Sequence, residues 1–228
     1  ITQEDGVGVR VNIYIANVAI WLDHMDLWDS FADQVATIYL PNGCRSMLPP
    51  VLADNLCSLQ RGKTRFALEL SLFIENGLVI SHSYSISSIQ VRENYVYESP
   101  EMLADEQYQL LLDTTRTMNR HNSYMDEIRD SHDVVAYLMI TMNYISAIEL
   151  NKLGIGIFRN VASGSTTSSE IPEHIPSNVQ KFLKHFRSSG GTYSCEMMGH
   201  DIMTLDAYTH ITSPIRRLVD LLNIMSLQ

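Results

Sequence analysis

Two adjacent arginines, Arg216 and Arg217, follow a serine and a proline in the stretch YTHITSPIRRLVDLL (Tyr208–Leu222). Ser213 is a residue type that caps helix N-termini, and Pro214 suits the first helical position, where a missing N–H costs nothing. The pattern therefore predicts a helix that begins at Ser213 and carries both arginines in its first turn. A helix N-terminus already presents positive potential, so two guanidinium groups are unfavourable there unless an anion compensates them. A phosphate group would do so.

Spacing alone leaves a second interpretation of these arginines open. Asp220 lies one turn after Arg216 and could neutralise it in an ordinary surface ion pair. Apolar residues recur at helical spacing and predict a buried stripe formed by Ile215, Leu218, Val219, Leu222 and Met225. The pattern predicts a helix, but it does not separate a phosphate site from a surface pair.

The elements that must position this stretch include both strands and helices. Val7–Leu22 is rich in β-branched and alternating apolar residues, which predicts a strand that enters the core. Arg65–Glu75 and Leu78–Val91 predict two further strands, joined as a hairpin at Glu75–Asn76–Gly77. The predicted helices are Leu52–Leu59, Pro100–Met118, His132–Leu153 and Pro176–Ser188, and the predicted loop is Ser163–Glu170. We therefore expect an α+β fold, with a mixed sheet flanked by long helices.

Composition limits the class of protein. The chain has 228 residues, of which 45% are apolar, so it can bury a sizeable core as one domain. It contains no run of apolar residues long enough to span a membrane and no signal pattern at its start, so an intracellular, cytoplasmic setting without membrane contact is expected. Three scattered cysteines, Cys44, Cys57 and Cys195, predict neither a disulfide framework nor a zinc site.

The charge is unevenly distributed. The net charge is −10, which is unfavourable for binding nucleic acid by bulk charge. Residues 1–150 carry twenty Asp and Glu against nine Lys and Arg, whereas residues 151–228 carry six against seven. A row of aspartates is predicted to follow one face of a helix that runs to Leu40; it consists of Asp23, Asp26, Asp29 and Asp33. A solvated acidic face is favoured over a metal site for this row.

Several stretches resemble segments of the ribonuclease II (RNB) family of 3′→5′ exoribonucleases and occur in the family's order. The family signature is similar to YTHITSPIRRLVD, with matches at Tyr208, Thr212, Ser213, Pro214, Ile215, Arg216, Arg217 and Asp220. Its PMLP…LCSL segment resembles Ser46–Leu59, its IADV strand resembles Ile13–Leu22, and its Tyr-Leu-Pro turn resembles Thr37–Pro41. The resemblance covers nearly the whole chain and implies an RNB-type catalytic domain.

The resemblance implies an activity and a set of site residues. The activity is processive, metal-dependent hydrolysis of single-stranded RNA from its 3′ end to nucleoside monophosphates. Arg216 is then the catalytic residue that contacts the phosphate near the scissile bond and stabilises developing charge. Tyr97 would stack on the 3′-terminal bases, because stacking is worth about 1–3 kcal/mol per base and tolerates any sequence. The further substrate-binding residues implied are Tyr208, Thr212, Ser213, Arg217 and Arg159.

The resemblance also implies Mg²⁺ as the cofactor. In the family, closely spaced aspartates of a D-x-D-D pattern hold the metal, which activates water and neutralises phosphate oxygens. No D-x-D-D occurs in this sequence, and the pattern would fall just upstream of Ile1. We therefore expect residues 1–228 to be a single RNB-like domain without its metal-binding stretch, its closing helices and a C-terminal OB-fold RNA-binding domain. No metal ligand is predicted within the chain.

Three departures from the family pattern support an alternative function. Asn17 stands where the family has aspartate, and Ala136 and Tyr137 stand where it has glutamates. With the acidic charge, they are typical of a catalytically inactive RNB-like domain that serves as an RNA-binding or structural component of a larger complex. The exoribonuclease is favoured, because Tyr97 and the arginine motif would have no evident reason to stay together in a purely structural module.

Overall fold

The computed structural model describes residues 1–3, 8–31, 33–161, 175–176, 179–180 and 191–228. The strands are β1 (Thr2–Gln3), β2 (Gly8–Ala16), β3 (Ile38–Leu40), β4 (Gly43–Arg45), β5 (Thr64–Glu75), β6 (Leu78–Gln90), β7 (Phe158–Asn160) and β8 (Thr192–Ser194). The α-helices are α1 (Ala19–His24), α2 (Trp28–Phe31), α3 (Pro100–Leu103), α4 (Glu106–His121), α5 (Ser131–Lys152) and α6 (Leu218–Ser226). A π-helix spans Val51–Cys57 and a 3₁₀-helix spans Asp201–Met203. The predicted α+β fold class is confirmed. The predicted helix Pro176–Ser188 and loop Ser163–Glu170 fall largely or wholly outside the described residues.

The main sheet has four antiparallel strands in the order β1–β2–β5–β6. The described strands pair only in the antiparallel sense in this sheet, so it is not itself mixed. The predicted hairpin is confirmed: Glu75 pairs with Leu78 across Asn76 and Gly77, both of which have positive φ. A side chain at Gly77 would come within 2.7 Å of Thr117, so glycine is required by space as well as by conformation.

The long helices α4 and α5 cover one face of this sheet. Asp105 and Asp130 cap their N-termini, each accepting a backbone N–H bond, from Gln107 at 2.8 Å and from Asp133 at 3.0 Å. The core between the helices and the sheet contains Val11, Leu68, Leu70, Leu72, Ile74, Met118, Tyr137 and Met142, all 2% exposed or less. Each such side chain contributes about 1.5–3 kcal/mol by its burial. The predicted helix His132–Leu153 is confirmed, whereas the predicted Pro100–Met118 divides into α3 and α4 where Asp105 starts a new cap.

A second core cluster lies between α1, the π-helix and α6. Its fully enclosed members are Val18, Ala19, Leu22, Met47, Leu48, Cys57 and Leu221, all 2% exposed or less. The predicted strand Val7–Leu22 is wrong beyond Ala16, because Val18, Ala19 and Leu22 fill this cluster at helical spacing. The predicted helix along the aspartate row is also wrong. Asp26 has a φ of +53°, which ends α1 and separates it from α2.

Helix α5 is the one helix among the described residues that could cross a membrane by length and composition. In the fold, 56% of its most apolar 18-residue window is buried inside the domain. Burial against the sheet accounts for its apolar character.

Candidate functional site

The arginine motif lies in a turn that precedes α6 rather than in the helix itself. The carbonyl of Ser213 accepts the backbone N–H groups of Arg216 and Arg217, each at 3.1 Å. Arg217 then occupies the N-cap position with an extended backbone (φ −141°, ψ 126°), and α6 begins at Leu218. The prediction that Ser213 caps this helix is therefore wrong.

Pairing with a distant segment explains the late start of α6. The backbone of Arg216 accepts the N–H of Thr37 at 2.9 Å, and the N–H of Leu218 donates to the carbonyl of Val35 at 2.9 Å. These bonds hold Arg217 extended, so the turn that follows the Ser-Pro signal does not continue into a helix until Leu218. The predicted apolar stripe is shifted as well, because the buried face of α6 is Asp220, Leu221, Asn223 and Ile224, while Met225 is 42% exposed.

Arg217 and Asp220 form a buried ion pair. Arg217 Nε lies 2.8 Å from Asp220 Oδ2, and its Nη2 donates to Oδ1 at 2.9 Å. Asp220 is fully buried and also accepts the backbone N–H of Ser213 at 2.7 Å. Burial raises the pKa of Asp220 above its ordinary value, although Arg217 acts in the opposite direction. An Arg–Asp220 pair therefore exists, but with the second arginine. It gives Arg217 a structural role, and the predicted RNA contact of Arg217 stays a prediction.

Arg216 is the arginine that remains available to a ligand. It is exposed, its Nη2 donates to Ser213 Oγ at 3.2 Å, and it makes no ion pair within the described part of the chain. It lines a cavity of about 430 Å³, which we call the Arg216 cavity. The cavity is lined by Tyr14, Ile15, Ala16, Thr37, Tyr39, Cys44, Ser46, Ala53, Asp54, Ser58, Leu59, Thr212, Ser213, Pro214, Ile215 and Arg216.

The groups that line the Arg216 cavity are ones that can bind a phosphate group. Arg216 supplies the cation, and a ring of hydroxyl groups comes from β2, the turn before α6 and the segments around the π-helix. Thr212 Oγ1 is enclosed and has no hydrogen-bond partner among the described residues. A cavity of this size falls in the range of small-ligand sites, roughly 300–1,000 Å³. Thr212, Ser213 and Arg216 are thus brought together as the motif predicted.

Tyr208 and Arg159 lie elsewhere. Tyr208 is 6% exposed and its hydroxyl accepts Asn143 Nδ2 at 3.0 Å, so its ring has no open face for an RNA base. Its side chain packs inside the fold, and its predicted substrate contact stays a prediction. Arg159 is half-buried on β7, with its guanidinium 6.0 Å from the centre of the Tyr193 ring. Neither residue lines the Arg216 cavity.

His210 lies in a strongly positive environment. Burial lowers its pKa to about 3, and the charges of Arg217 and Arg159 act in the same direction. Its Nδ1 lies 2.5 Å from the hydroxyl of Tyr193. The imidazole is therefore held neutral in the folded protein.

We predict that protonation of His210 destabilises the fold. Because its folded pKa is depressed below the ordinary value of 6.5, its stabilising contribution is complete above pH 6.5 and is lost as the pH falls toward 3. The change is His210→Gln, measured by urea unfolding between pH 7.5 and 4, and the variant should lose less stability than the wild type over that range. Burial also lowers the pKa of His200, so the His210→Gln variant should still lose some stability as the pH falls. The exposed His121→Gln is the control, and identical profiles for all three proteins would refute the prediction.

Tyr97 and His132 form an exposed aromatic stack outside the Arg216 cavity. Their ring centres are 3.7 Å apart at 21°, and Tyr97 is 47% exposed. Glu98 fixes the turn beside them, accepting the N–H of Ser131 at 2.7 Å and its hydroxyl at 2.5 Å. One face of Tyr97 is occupied by His132, so the predicted base stacking would use the other face, and it stays a prediction.

Few carboxylates converge on the site. Asp54 is the one carboxylate that lines the Arg216 cavity, and no group of three or more His, Cys, Asp or Glu side chains capable of holding a metal occurs among the described residues. Asn17 is buried, and its Oδ1 accepts Gln228 Nε2 at 2.9 Å. Tyr137 is buried in the core against Tyr124 rather than facing the site.

The sequence predicted only three of the sixteen residues that line the cavity, and those it missed include three polar ones that could contact a ligand. Tyr14, Tyr39 and Asp54 line it from β2, β3 and the π-helix. Tyr39 lies in the Tyr-Leu-Pro turn and Asp54 in the segment Ser46–Leu59, both of which carry the family resemblance. That resemblance was the available signal, since residue types alone do not distinguish these side chains.

The fold and the cavity together define an α+β domain with an arginine-bearing, hydroxyl-lined site suited to phosphate. Comparison with known proteins is consistent with this class. The model of the RNB domain matches residues 1–109 and 101–228. The chain therefore belongs to the RNB domain family.

Proteins similar in sequence include a ribonuclease R and an exoribonuclease 2. The chain is 22% identical to ribonuclease R of Chlamydia pneumoniae, over 97% of this chain and 43% of that protein. It is 24% identical to exoribonuclease 2 of Buchnera aphidicola, over 89% of this chain and 42% of that protein. The chain thus spans about two-fifths of the length of the relatives it matches.

Solved structures share the fold. Ribonuclease R of Mycoplasma genitalium in complex with double-stranded RNA matches with a TM-score of 0.76 and 18% identity, over 99% of this chain and 53% of that one. Yeast Ssd1, a pseudonuclease, matches with a TM-score of 0.74 and 16% identity, over 99% of this chain and 36% of that one. The fold is thus found in a ribonuclease and in a pseudonuclease alike.

Proposed function

We propose that this domain binds the 3′-terminal part of single-stranded RNA in the Arg216 cavity, as a component of an RNB-type 3′→5′ exoribonuclease. The observation that carries the proposal is that the two arginines have different partners. Asp220 neutralises Arg217, whereas Arg216 is exposed at the cavity and makes no ion pair with any described residue. A guanidinium in that setting can bind a backbone phosphate through charge-assisted hydrogen bonds.

The groups around Arg216 explain how a phosphate would be held. Ser213 Oγ accepts a bond from Arg216 Nη2, which limits the positions of the guanidinium. The backbone of Ser213 is fixed in turn by Asp220, which accepts its N–H. The ion pair thus positions the turn that presents Arg216, and Thr212 and Ser213 offer hydroxyls beside it. Binding here depends on this local arrangement, since the net charge of −10 opposes bulk attraction of RNA.

Processive hydrolysis to nucleoside monophosphates with Mg²⁺ is the activity that family membership favours. Mg²⁺ prefers oxygen ligands, usually one or two carboxylates together with substrate phosphates and waters. The described residues bring only Asp54 to the cavity and form no cluster of metal-binding side chains, so these donors do not fit a complete Mg²⁺ site. We assign no step of hydrolysis through a metal to them. We also propose that this domain acts together with further RNA-binding domains, of which an OB-fold is one.

A second candidate function is RNA binding without hydrolysis. Asn17, Ala136 and Tyr137 favour it, because they stand at positions where the family has acidic residues. Both candidates use Arg216 to bind RNA, and they differ in whether RNA is cleaved. They are therefore separated by a cleavage assay rather than by a binding assay.

We predict that Arg216→Ala weakens RNA binding about 10- to 100-fold. A hydrogen bond to a charged group contributes about 1.5–3 kcal/mol, and about 1.4 kcal/mol corresponds to a factor of ten. Binding is measured by fluorescence anisotropy with a 5′-labelled single-stranded RNA in EDTA, where hydrolysis is suppressed. Arg120→Ala removes the same charge from an exposed site on α4 and serves as the matched control.

The same substitutions in the full-length gene product then test cleavage, because the metal-binding aspartates of the family would fall upstream of Ile1. In Mg²⁺ with a 3′-labelled RNA, release of labelled mononucleotides by the wild type, and its loss in Arg216→Ala, supports the exoribonuclease. Retention of the label with normal binding supports the second candidate. Equal affinities of Arg216→Ala, Arg120→Ala and the wild type would remove the Arg216 cavity as the binding site.

A further inference from the structure

Asp54 is the one carboxylate in the Arg216 cavity, and its presence there needs an explanation. It is exposed, and its carboxylate makes no hydrogen bond or ion pair with the described residues. A bare negative charge beside a phosphate site repels the ligand unless it contacts a part of that ligand that donates hydrogen bonds. An ionised aspartate can only accept such bonds.

The backbone around Asp54 is firmly held. It lies in the π-helix Val51–Cys57, an uncommon geometry that occurs frequently at functional sites. The N–H of Ser58 closes this turn on the carbonyl of Ala53 at 3.1 Å, and Gln60 Nε2 donates to the carbonyl of Asp54 at 2.9 Å. Arg65 binds the carbonyls of Asn55 at 2.7 Å and Ser58 at 2.9 Å. The carboxylate is thus presented to the cavity from a fixed backbone.

The other walls of the cavity complement a nucleotide. Tyr39 is 68% exposed on the β3–β4 hairpin, and Tyr14 is 36% exposed, with its hydroxyl donating to Glu69 Oε1 at 3.3 Å. Aromatic rings in such positions can stack on a base of any sequence. The cavity therefore combines a cation at Arg216, an acceptor at Asp54 and two aromatic walls within about 430 Å³.

A ribonucleotide at the 3′ end of RNA has the matching groups. Its phosphate is anionic, and its ribose carries two neighbouring hydroxyls, both of them hydrogen-bond donors. Carboxylates are used elsewhere to recognise ribose hydroxyls, as in dinucleotide-binding folds. A deoxyribose end, or an end that carries a phosphate, lacks one or both of these donors.

We propose that Asp54 accepts hydrogen bonds from the 2′- and 3′-hydroxyls of the terminal ribose while Arg216 binds the phosphate of the same nucleotide. Asp54 is then a specificity-determining residue that makes the site select RNA ends with a free ribose diol. This inference rests on the proposed function, because it takes the Arg216 cavity as the RNA site.

The test compares three 5′-labelled oligoribonucleotides of one sequence that differ only at the 3′ end. One ends in a ribose diol, one in a 2′,3′-dideoxynucleotide and one in a 3′-phosphate. Binding is measured by fluorescence anisotropy in EDTA, so neither cleavage nor a bound cation contributes. The wild type is expected to bind the diol about tenfold more tightly than the dideoxy end, and the 3′-phosphate most weakly.

The variants are Asp54→Ala and the isosteric Asp54→Asn. Asp54→Ala is expected to abolish the preference for the diol, while its affinity for the dideoxy RNA stays equal to the wild type or rises because repulsion is removed. Asp54→Asn keeps one acceptor without charge and is expected to retain a preference of a few-fold. Asp29→Ala removes an equivalent exposed charge from α2 and should leave all three affinities in their wild-type ratio. Thermal melting checks that each variant is folded.

Failure of this inference and failure of the proposed function give different results. If Asp54→Ala changes the three affinities by one common factor, the ribose contact is wrong, whatever Arg216→Ala does. If Arg216→Ala binds all three RNAs as tightly as the wild type, the proposed function is wrong. Two results together support the proposed function and the ribose contact. Arg216→Ala should lose affinity for all three RNAs, and only the Asp54 variants should lose the preference for the diol.

Discussion

Replacing Asp220 by alanine is expected to lower the free energy of unfolding by about 3–5 kcal/mol, because it leaves Arg217 with an uncompensated, largely buried charge. The carboxylate is fully buried, and the side chain of Arg217 is only 24% exposed. The backbone N–H of Ser213 loses its acceptor in the same variant. Urea unfolding of the wild type and Asp220→Ala measures the difference.

Two further variants identify the cause. The exposed Arg216→Ala should change stability by less than about 0.5 kcal/mol, although it removes a charge from the neighbouring position. The double variant Arg217→Met with Asp220→Leu should regain most of the lost stability, because apolar residues of similar volume can replace a buried pair at little cost. Burial raises the pKa of Asp220 although Arg217 acts in the opposite direction, which agrees with a substantial desolvation cost for this carboxylate. A loss below about 1 kcal/mol in Asp220→Ala would contradict the structural role assigned to the pair.

Local sequence signals predicted the parts of the fold that local interactions decide. The hairpin at Asn76–Gly77 follows from turn chemistry, because both residues adopt the positive φ that such a turn requires. Helix α5 follows from a long apolar pattern that is closed by Gly154, which has a φ of +70°. In these segments the local preference and the tertiary fold agree.

The predictions that failed are those in which a distant segment overrides a local signal. Ser213 and Pro214 form a good helix start by residue type, yet backbone bonds to residues 35–37 hold Arg217 extended and delay the helix to Leu218. The periodicity around Val18 and Leu22 fits a strand until the second core cluster requires a helix there. No window of neighbouring residues contains the information that decides either case.

The candidate site was predictable only in part for the same reason. The motif places Thr212, Ser213 and Arg216 in one cavity, because a turn keeps neighbouring residues together. The division between Arg216 and Arg217 depends on which side chain meets the buried Asp220, and spacing favoured the wrong arginine. Asp54 and Tyr39 reach the cavity from segments more than 150 residues away in the chain, so their association with Arg216 is visible only in the fold.

Replacing Asn223 by leucine is expected to destabilise the protein by about 3 kcal/mol, because it leaves several enclosed polar groups without partners at once. Asn223 is fully buried on α6, and its Oδ1 accepts the N–H of Ile157 at 2.8 Å. Its Nδ2 lies within 2.7–3.0 Å of the carbonyls of Ile157 and His210 and of Thr209 Oγ1. One amide thus connects α6 to the chain that enters β7 and to the segment that leads into the arginine motif.

The control for Asn223→Leu is Asn151→Leu, an exposed asparagine at the end of α5 whose side chain has no hydrogen bond among the described residues. Urea unfolding gives the stability of each variant, and amide hydrogen exchange reports the Ile157 N–H directly. Loss of protection at Ile157 with α4 and α5 still protected would show that the amide connects this region specifically, as the geometry requires. Full protection at Ile157 in Asn223→Leu would contradict that role.

Because the same amide fixes the carbonyl of His210, three residues before Ser213, the variant should also weaken RNA binding at Arg216 without touching the cavity.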